Sequence, residues 1–368
     1  MKLLRVLIAL FVLSVCTFAQ TPVDAARVDQ IVSADMAAKH TPAVQIALVK
    51  DGRIVYSKAF GTVDLENDLH ATPETLFRTG SIAKSLTAVA TLTLVDAGKL
   101  DLDAPIQKYC APFPPKQWPI TTRELLSHTS GIRHYREDEI EGTRHYKFMS
   151  DGFALFAGDP LLFPPGTGYN YSTYGYTVVG CVLEGASGET YYDYLHAHVL
   201  QAAGMTHTVV DSAEEIVPHR ARGYRIVAGQ VKNAGLMDSS YKIPGGGLDT
   251  TAEDLVRLGS ALMERQILKP ETLTAMWTPV KLRNGALAGT QNATSHYGLG
   301  WEITDDGKVR WHTGSQQGCN TAMAFVPEQR FGVAVLTNME GARPIDIVNK
   351  VLETFAGATT ARPKQSSQ

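Results

Sequence analysis

Ser81 and Lys84 stand three residues apart in "FRTGSIAKSLTAVATLTLVDAGKL", a spacing that puts both on one face of a helix. A serine hydroxyl is a poor nucleophile until a base takes its proton. Lys84 can be that base only as a free amine. Its reference pKa is about 10.4, so neutrality near pH 7 costs about 4 kcal/mol, to be supplied by burial and a neighbouring cation. A helix N-terminus helps separately: its free N–H groups favour developing negative charge, and the Ser81 N–H can donate to an oxyanion. The pattern alone is weak, since roughly one S-x-x-K match is expected by chance. A second match, Ser239-Ser240-Tyr241-Lys242, runs into Pro244 and Gly245 to Gly247 and does not read as a regular helix start. The bland reading of Ser81 is a helix cap beside a solvated lysine.

Two later stretches carry further chemistry. In "PPGTGYNYSTYGYTVVG", Tyr171-Ser172-Thr173 precedes a helix. Tyr171 could relay a proton between nucleophile and leaving group if a nearby lysine lowers its pKa; the alternative is an aromatic cluster packing the loop. In "VRWHTGSQQG", Val309 to Trp311 read as a strand that carries His312, Thr313 and Gly314. An exposed edge there could bind a substrate backbone and offer the Ser315 N–H as a second oxyanion donor; otherwise His312 is an ordinary edge-strand histidine.

The elements that must position these groups are legible as periodicities. Residues 22–40 have helical spacing at Val28, Ile31, Val32 and Met36. Two β-rich runs flank Asp51-Gly52, a strong hairpin signal. Residues 81–98 read as a helix ending at Gly98. "TTRELLSHTSG" carries a capping-box pattern and a stop at Gly131. Further helices are expected in "TYGYTVVGCVLEGASG", "TYYDYLHAHVLQAAGM", residues 250–266 and near 343–356. "YGLGWEITDDGKVRWHTG" and "NTAMAFVPEQRFGVAVLTN" each hold two strands. The expected fold is therefore α/β (α+β): an antiparallel sheet built from both chain ends, flanked by helices, with a mostly helical insertion and a cleft between. The corresponding division is a leader over 1–19, a sheet-bearing part over 20–75 and 225–358, a helical part over 76–224, and a disordered tail over 359–368.

The 368 residues carry a formal net charge of -3, without the basic excess that nucleic acid requires. "MKLLRVLIALFVLSVCTFAQ" has a positive start, a short apolar run and small residues before a cut expected after Ala19. The run is too short for a comfortable membrane span. The protein is thus expected to be exported, periplasmic or secreted, with lipidation at Cys16 as the alternative. Cys110, Cys181 and Cys319 then remain, an odd and sparse set that reads as small buried hydrophobes rather than a disulfide framework. His196 and His198 would face different ways on a helix, and His128 and His134 read as capping or packing residues, so no metal and no cofactor is expected. Asn292-Ala293-Thr294 is a glycosylation sequon only in a eukaryotic secretory setting, and Gly245 to Gly247 are expected to form a tight turn near the cleft wall.

Ser-x-x-Lys, then Tyr-Ser-Thr, then His-Thr-Gly follow one another along the chain. This order resembles the serine β-lactamase and penicillin-binding-protein superfamily, whose set is S-x-x-K, a middle polar motif and K-T-G. The tyrosine and the histidine resemble the class C-related branch, and "LLSHTSGIRHY", "YSTYGYT" and "SYKIPGGG" are most similar to LACTB-like serine proteases. The resemblance implies a serine hydrolase with a covalent acyl-enzyme: Ser81 as nucleophile, Lys84 and Tyr171 as proton carriers, the Ser81 and Ser315 N–H groups as oxyanion hole, and Thr173, His312, Thr313 and Gly314 lining the substrate site. The expected substrate is a small molecule or peptide with an amide or ester, ranked as peptide or D-amino-acid-containing peptide, then ester, then β-lactam. Two departures weaken the β-lactamase alternative. Thr173 stands where the branch carries an asparagine, and His312 where a lysine would hold a permanent charge. A binding or filament-forming scaffold on the same fold is the alternative from another class.

Overall fold

The computed structural model describes residues 23–136, 139, 142–289 and 295–360. The expected leader, the Asn292 sequon and nearly all of the expected tail lie outside them. Five helices and eight strands matter for the site. The helices are α1 (Ala25–Lys39), α2 (Ala83–Asp96), α3 (Thr173–Ser187), α4 (Ala252–Met263) and α5 (Pro344–Phe355). The strands are β1 (Ala43–Lys50), β2 (Arg53–Asp64), β3 (Leu69–His70), β4 (Ser295–Tyr297), β5 (Glu302–Thr304), β6 (Arg310–Gln316), β7 (Cys319–Val326) and β8 (Phe331–Thr337).

These strands form one antiparallel sheet in the order β3-β2-β1-β8-β7-β6-β5-β4, so the two chain ends meet at the β1–β8 pair. Asp51 and Gly52 both have positive φ, at 49° and 79°, in the two-residue turn that fixes the β1–β2 register. Alternation then sends Val44, Ile46 and Leu48 to one face, under α1 and α5, and Ala43, Ala47 and Val49 to the other, toward α2 and α4. Both faces are covered, which is why β1 reads as a continuous apolar run. The C-terminal segment supplies five strands rather than the expected four. The run "HYGLGWEIT" is split by a tight turn in which the Gly298 N–H donates to the Trp301 carbonyl at 2.9 Å.

α2 is buried almost all round from Ala83 to Leu92. Its polar positions survive there because they are paired: Thr87 Oγ1 donates to Pro244 O at 2.7 Å and Thr91 Oγ1 to Thr87 O at 2.8 Å. The helix after Thr121 has its capping box but covers only Thr122–Leu126, well short of Gly131. His128 takes a left-handed φ of 59° and turns the chain into the cleft. The second Ser-x-x-Lys opens no regular helix, in line with its sequence: Ser240–Lys242 form a 3-10 turn that leads into a single helical turn, Ile243–Gly246.

The reading of all three cysteines as isolated hydrophobes is corrected at two of them. Cys110 and Cys181 form a disulfide across 71 residues, tying the loop after α2 to the middle of α3. The odd count concealed the pair, because the third cysteine, Cys319, is a free buried thiol.

Candidate active site

Ser81 lies in a 3-10 turn, Gly80–Ile82, that enters α2 without a side-chain cap. The Ser81 hydroxyl is therefore not spent on capping the helix. The turn is pinned from behind. Thr79 N and Oγ1 both donate to Leu248 O, at 2.8 and 2.9 Å, and Thr321 Oγ1 on β7 donates to Thr79 O at 2.7 Å. β6 presses against the same turn. A Cβ on Gly314 would stand 2.0 Å from Thr79 O and 3.1 Å from Ser81 N, and one on Gly80 would stand 2.7 Å from Ser315 N. Only glycines allow this approach, which brings the Gly314–Ser315 backbone against the Gly80–Ser81 backbone. β6 is not a free edge along its length: Arg310 and Trp311 pair with β5, and only the stretch from His312 onward has an outer side left open.

Lys84 is fully buried with its Nζ among three oxygens: Ser81 Oγ at 3.0 Å, Thr173 Oγ1 at 3.0 Å and Gly245 O at 2.6 Å. Burial, and then the charge of Lys242, hold its pKa well below the ordinary lysine range. A neutral amine fits this cage. It donates one hydrogen to the Gly245 carbonyl and one to Thr173 Oγ1, and its lone pair is left for the Ser81 hydroxyl. Thr173 therefore orients Lys84 although it is no amide.

Tyr171 lines the same cavity as Ser81, and its ring centroid lies 4.9 Å from Lys84 Nζ. The expected lowering of its pKa by lysine does not hold. Burial dominates and pushes the phenol up, so Tyr171 is a neutral phenol rather than a phenolate. His128 and His134 frame this segment. The Ser172 N–H donates to His128 Nδ1 at 3.1 Å, the Thr173 N–H to His134 Nδ1 at 3.3 Å, and the His128 ring sits 4.2 Å from that of Tyr171. Their packing role is thus the positioning of the Tyr171–Thr173 stretch.

His312 is buried, and its Nδ1 donates to Thr313 O at 2.6 Å, which leaves Nε2 to accept from the Tyr297 hydroxyl at 2.9 Å. Burial and the nearby Lys84 push its pKa down to about 3. It is a neutral group on the cavity wall at neutral pH.

These groups open on a cavity of about 620 Å³ lined by Ser81, Tyr171, Thr173, His312, Thr313 and Ser315. Lys242, Gly245 and Glu302 line it too, and sequence reasoning assigned none of them to the chemistry. The signal for Lys242 was present in the second Ser-x-x-Lys, which was set aside as a failed helix start.

The same arrangement has relatives. A sequence model of the Beta-lactamase family matches residues 28–356. The chain is 31% identical to "Serine beta-lactamase-like protein LACTB, mitochondrial" of Homo sapiens, over 78% of this chain and 69% of that protein. Among solved structures it is similar to the octameric penicillin-binding protein homologue from Pyrococcus abyssi, with a TM-score of 0.78 and 29% identity over 91% of this chain and 78% of that one. The penicillin binding protein from Bacillus halodurans follows at 0.75 and 26%, over 88% and 100%. From strand order to cleft, the chain belongs to the β-lactamase family, within the β-lactamase/transpeptidase-like superfamily that also holds the penicillin-binding proteins.

Proposed function

We propose that the protein is a serine hydrolase that forms an acyl-enzyme on Ser81 and hydrolyses an amide or ester. The observation that carries this reading is the buried Lys84 nitrogen 3.0 Å from Ser81 Oγ, flanked by the Thr173 hydroxyl and the Gly245 carbonyl; as a neutral amine it has hydrogens for the latter two and a lone pair for the serine. As Oγ bonds to the substrate carbonyl carbon, its proton passes to the Lys84 amine. The carbonyl oxygen becomes an oxyanion held by the Ser81 and Ser315 N–H groups. The Tyr171 phenol donates its proton to the departing amine or alkoxide and regains one from Lys84. Water then attacks the acyl carbon and returns Ser81 to its hydroxyl form. Thr313 and the open side of β6 line the path of the substrate backbone.

Peptides, including those with D-amino acids, rank first as substrates, esters second and β-lactams third. The neutral His312 supports this order, because it supplies no charge for a β-lactam carboxylate at the place where a lysine would. Export is part of the same proposal, supported by the Cys110–Cys181 disulfide, a bond that persists in oxidising compartments. The test is labelling with a fluorophosphonate and with a penicillin probe, read by intact mass, beside turnover of nitrocefin, a p-nitrophenyl ester and short peptides. A single adduct absent from Ser81→Ala is expected. An undiminished adduct in that variant would sink the enzyme reading in favour of a scaffold, and rapid turnover of nitrocefin alone would reverse the substrate order.

A further inference from the structure

Lys242 is the one cation lining the cavity beside Lys84 among the described residues, and nothing in the proposed proton path uses it. It sits three residues before Gly245, whose carbonyl holds Lys84. Its side chain is 4% exposed, yet the hydrogen-bond partner of its ammonium is the Met237 sulfur at 3.3 Å, a weak acceptor. Its other neighbours are the faces of Tyr135 and Tyr241, at 5.4 and 5.3 Å. Among the described residues no carboxylate lies within ion-pair distance of it. The acidic groups that reach it by charge are engaged elsewhere. Asp211 is held by Arg78, Arg220 and Ser239, and Asp238 by His145 and Ser240. Arg78, Cys319, Lys84 and His134 are the further charged and titratable groups around it. Burial lowers its pKa only to about 8, so it remains an ammonium at neutral pH.

A buried ammonium with spare donors on a cleft wall is suited to receive an anion. We propose that Lys242 is the receptor for a carboxylate carried by the substrate, and that it selects acyl donors or peptides bearing a carboxylate near the scissile bond. This rests on the acyl-transfer reading above and narrows its substrate class. It also relocates the recognition charge. β6 presents the neutral His312, and the charge comes instead from the 3-10 turn Ser240–Lys242 on another wall. Tuning of Lys84 alone is the competing role, and it makes a different prediction, since it would affect anionic and neutral ligands alike.

Binding isolates the two without turnover. Ser81→Ala is titrated calorimetrically at pH 6.5 with N-acetylalanine of each hand and with the corresponding amides, and again with Lys242→Met or Lys242→Arg added. The acid is expected to bind about 10- to 100-fold more tightly than its amide, the range of a charge-assisted hydrogen bond. That preference should vanish in Lys242→Met and persist in Lys242→Arg. Equal binding of acid and amide with Lys242 intact overturns the proposal whether or not the Met variant folds, and so does a preference that survives Lys242→Met. Failure of Ser81 labelling in the intact enzyme would instead strike the acyl-transfer reading, and the calorimetry would still report on Lys242.

Discussion

The Lys84 nitrogen has three oxygens around it and, as a neutral amine, two hydrogens and one lone pair to give them. Its folded pKa lies below the unfolded value of about 10.4, so the unfolded chain binds the extra proton. Stability from this group therefore rises with pH across the window between the folded and unfolded values. Acylation follows the same direction: it is present above the folded pKa and is lost as pH falls through it. Lys84→Met should slow Ser81 acylation by about 10²- to 10⁴-fold, the usual worth of a positioned base, as read by stopped-flow. His312 behaves oppositely to an ordinary histidine. With its pKa near 3 it adds no ionisation between pH 5 and 8, and ¹⁵N NMR of the imidazole should show the neutral Nδ1–H tautomer throughout that range. A histidine titrating near 6.5 at this position would contradict the assigned hydrogen bonds.

Among elements, the decisive contact is β6 against the 3-10 turn that carries Ser81. Gly314→Ala inserts a methyl 2.0 Å from Thr79 O and must push the two N–H groups apart. Acylation should fall by about 100-fold or more, as for loss of an oxyanion donor, while circular dichroism stays that of the folded protein. An unchanged rate would remove Ser315 from the oxyanion hole. The strand carrying His312 to Gly314 was legible from its apolar alternation, and the start of α3 at Thr173 from the turn before it. The helix after Thr121 was not. Its capping box predicts where it begins, but its end depends on His128 turning left-handed to meet Tyr171 and the Ser172 N–H. That contact is long-range and has no periodicity to announce it. The second Ser-x-x-Lys marks Lys242, but its place in the cleft near Lys84 was illegible for the same reason, because it depends on folding across the cleft.

For the whole molecule, α2 and α3 form the buried centre, and the Cys110–Cys181 disulfide fastens the loop beyond one to the flank of the other. That both chain ends share one antiparallel sheet followed from hairpin signals, since a two-stranded N-terminal hairpin is marginal without partners. The disulfide did not, because sequence alone gives no pairing among three cysteines. Closing a 71-residue separation should contribute about 2–4 kcal/mol. The paired Cys110→Ala and Cys181→Ala variant should unfold at correspondingly lower urea. Without reductant, and with the expected leader and its Cys16 removed, only Cys319 should alkylate in the denatured wild-type chain. Equal alkylation of all three would exclude the bond and, with it, the structural support for export.

The most direct test of the central claim, that Ser81 is acylated with neutral Lys84 as its base, is pre-steady-state reaction with a p-nitrophenyl ester from pH 5 to 10, followed by peptide mapping of the acid-quenched enzyme. A burst of p-nitrophenol equal to the enzyme concentration is predicted, with its rate constant rising with pH and the acyl group on the peptide containing Ser81. No burst at any pH, or an acyl group mapped to another residue, would contradict the account.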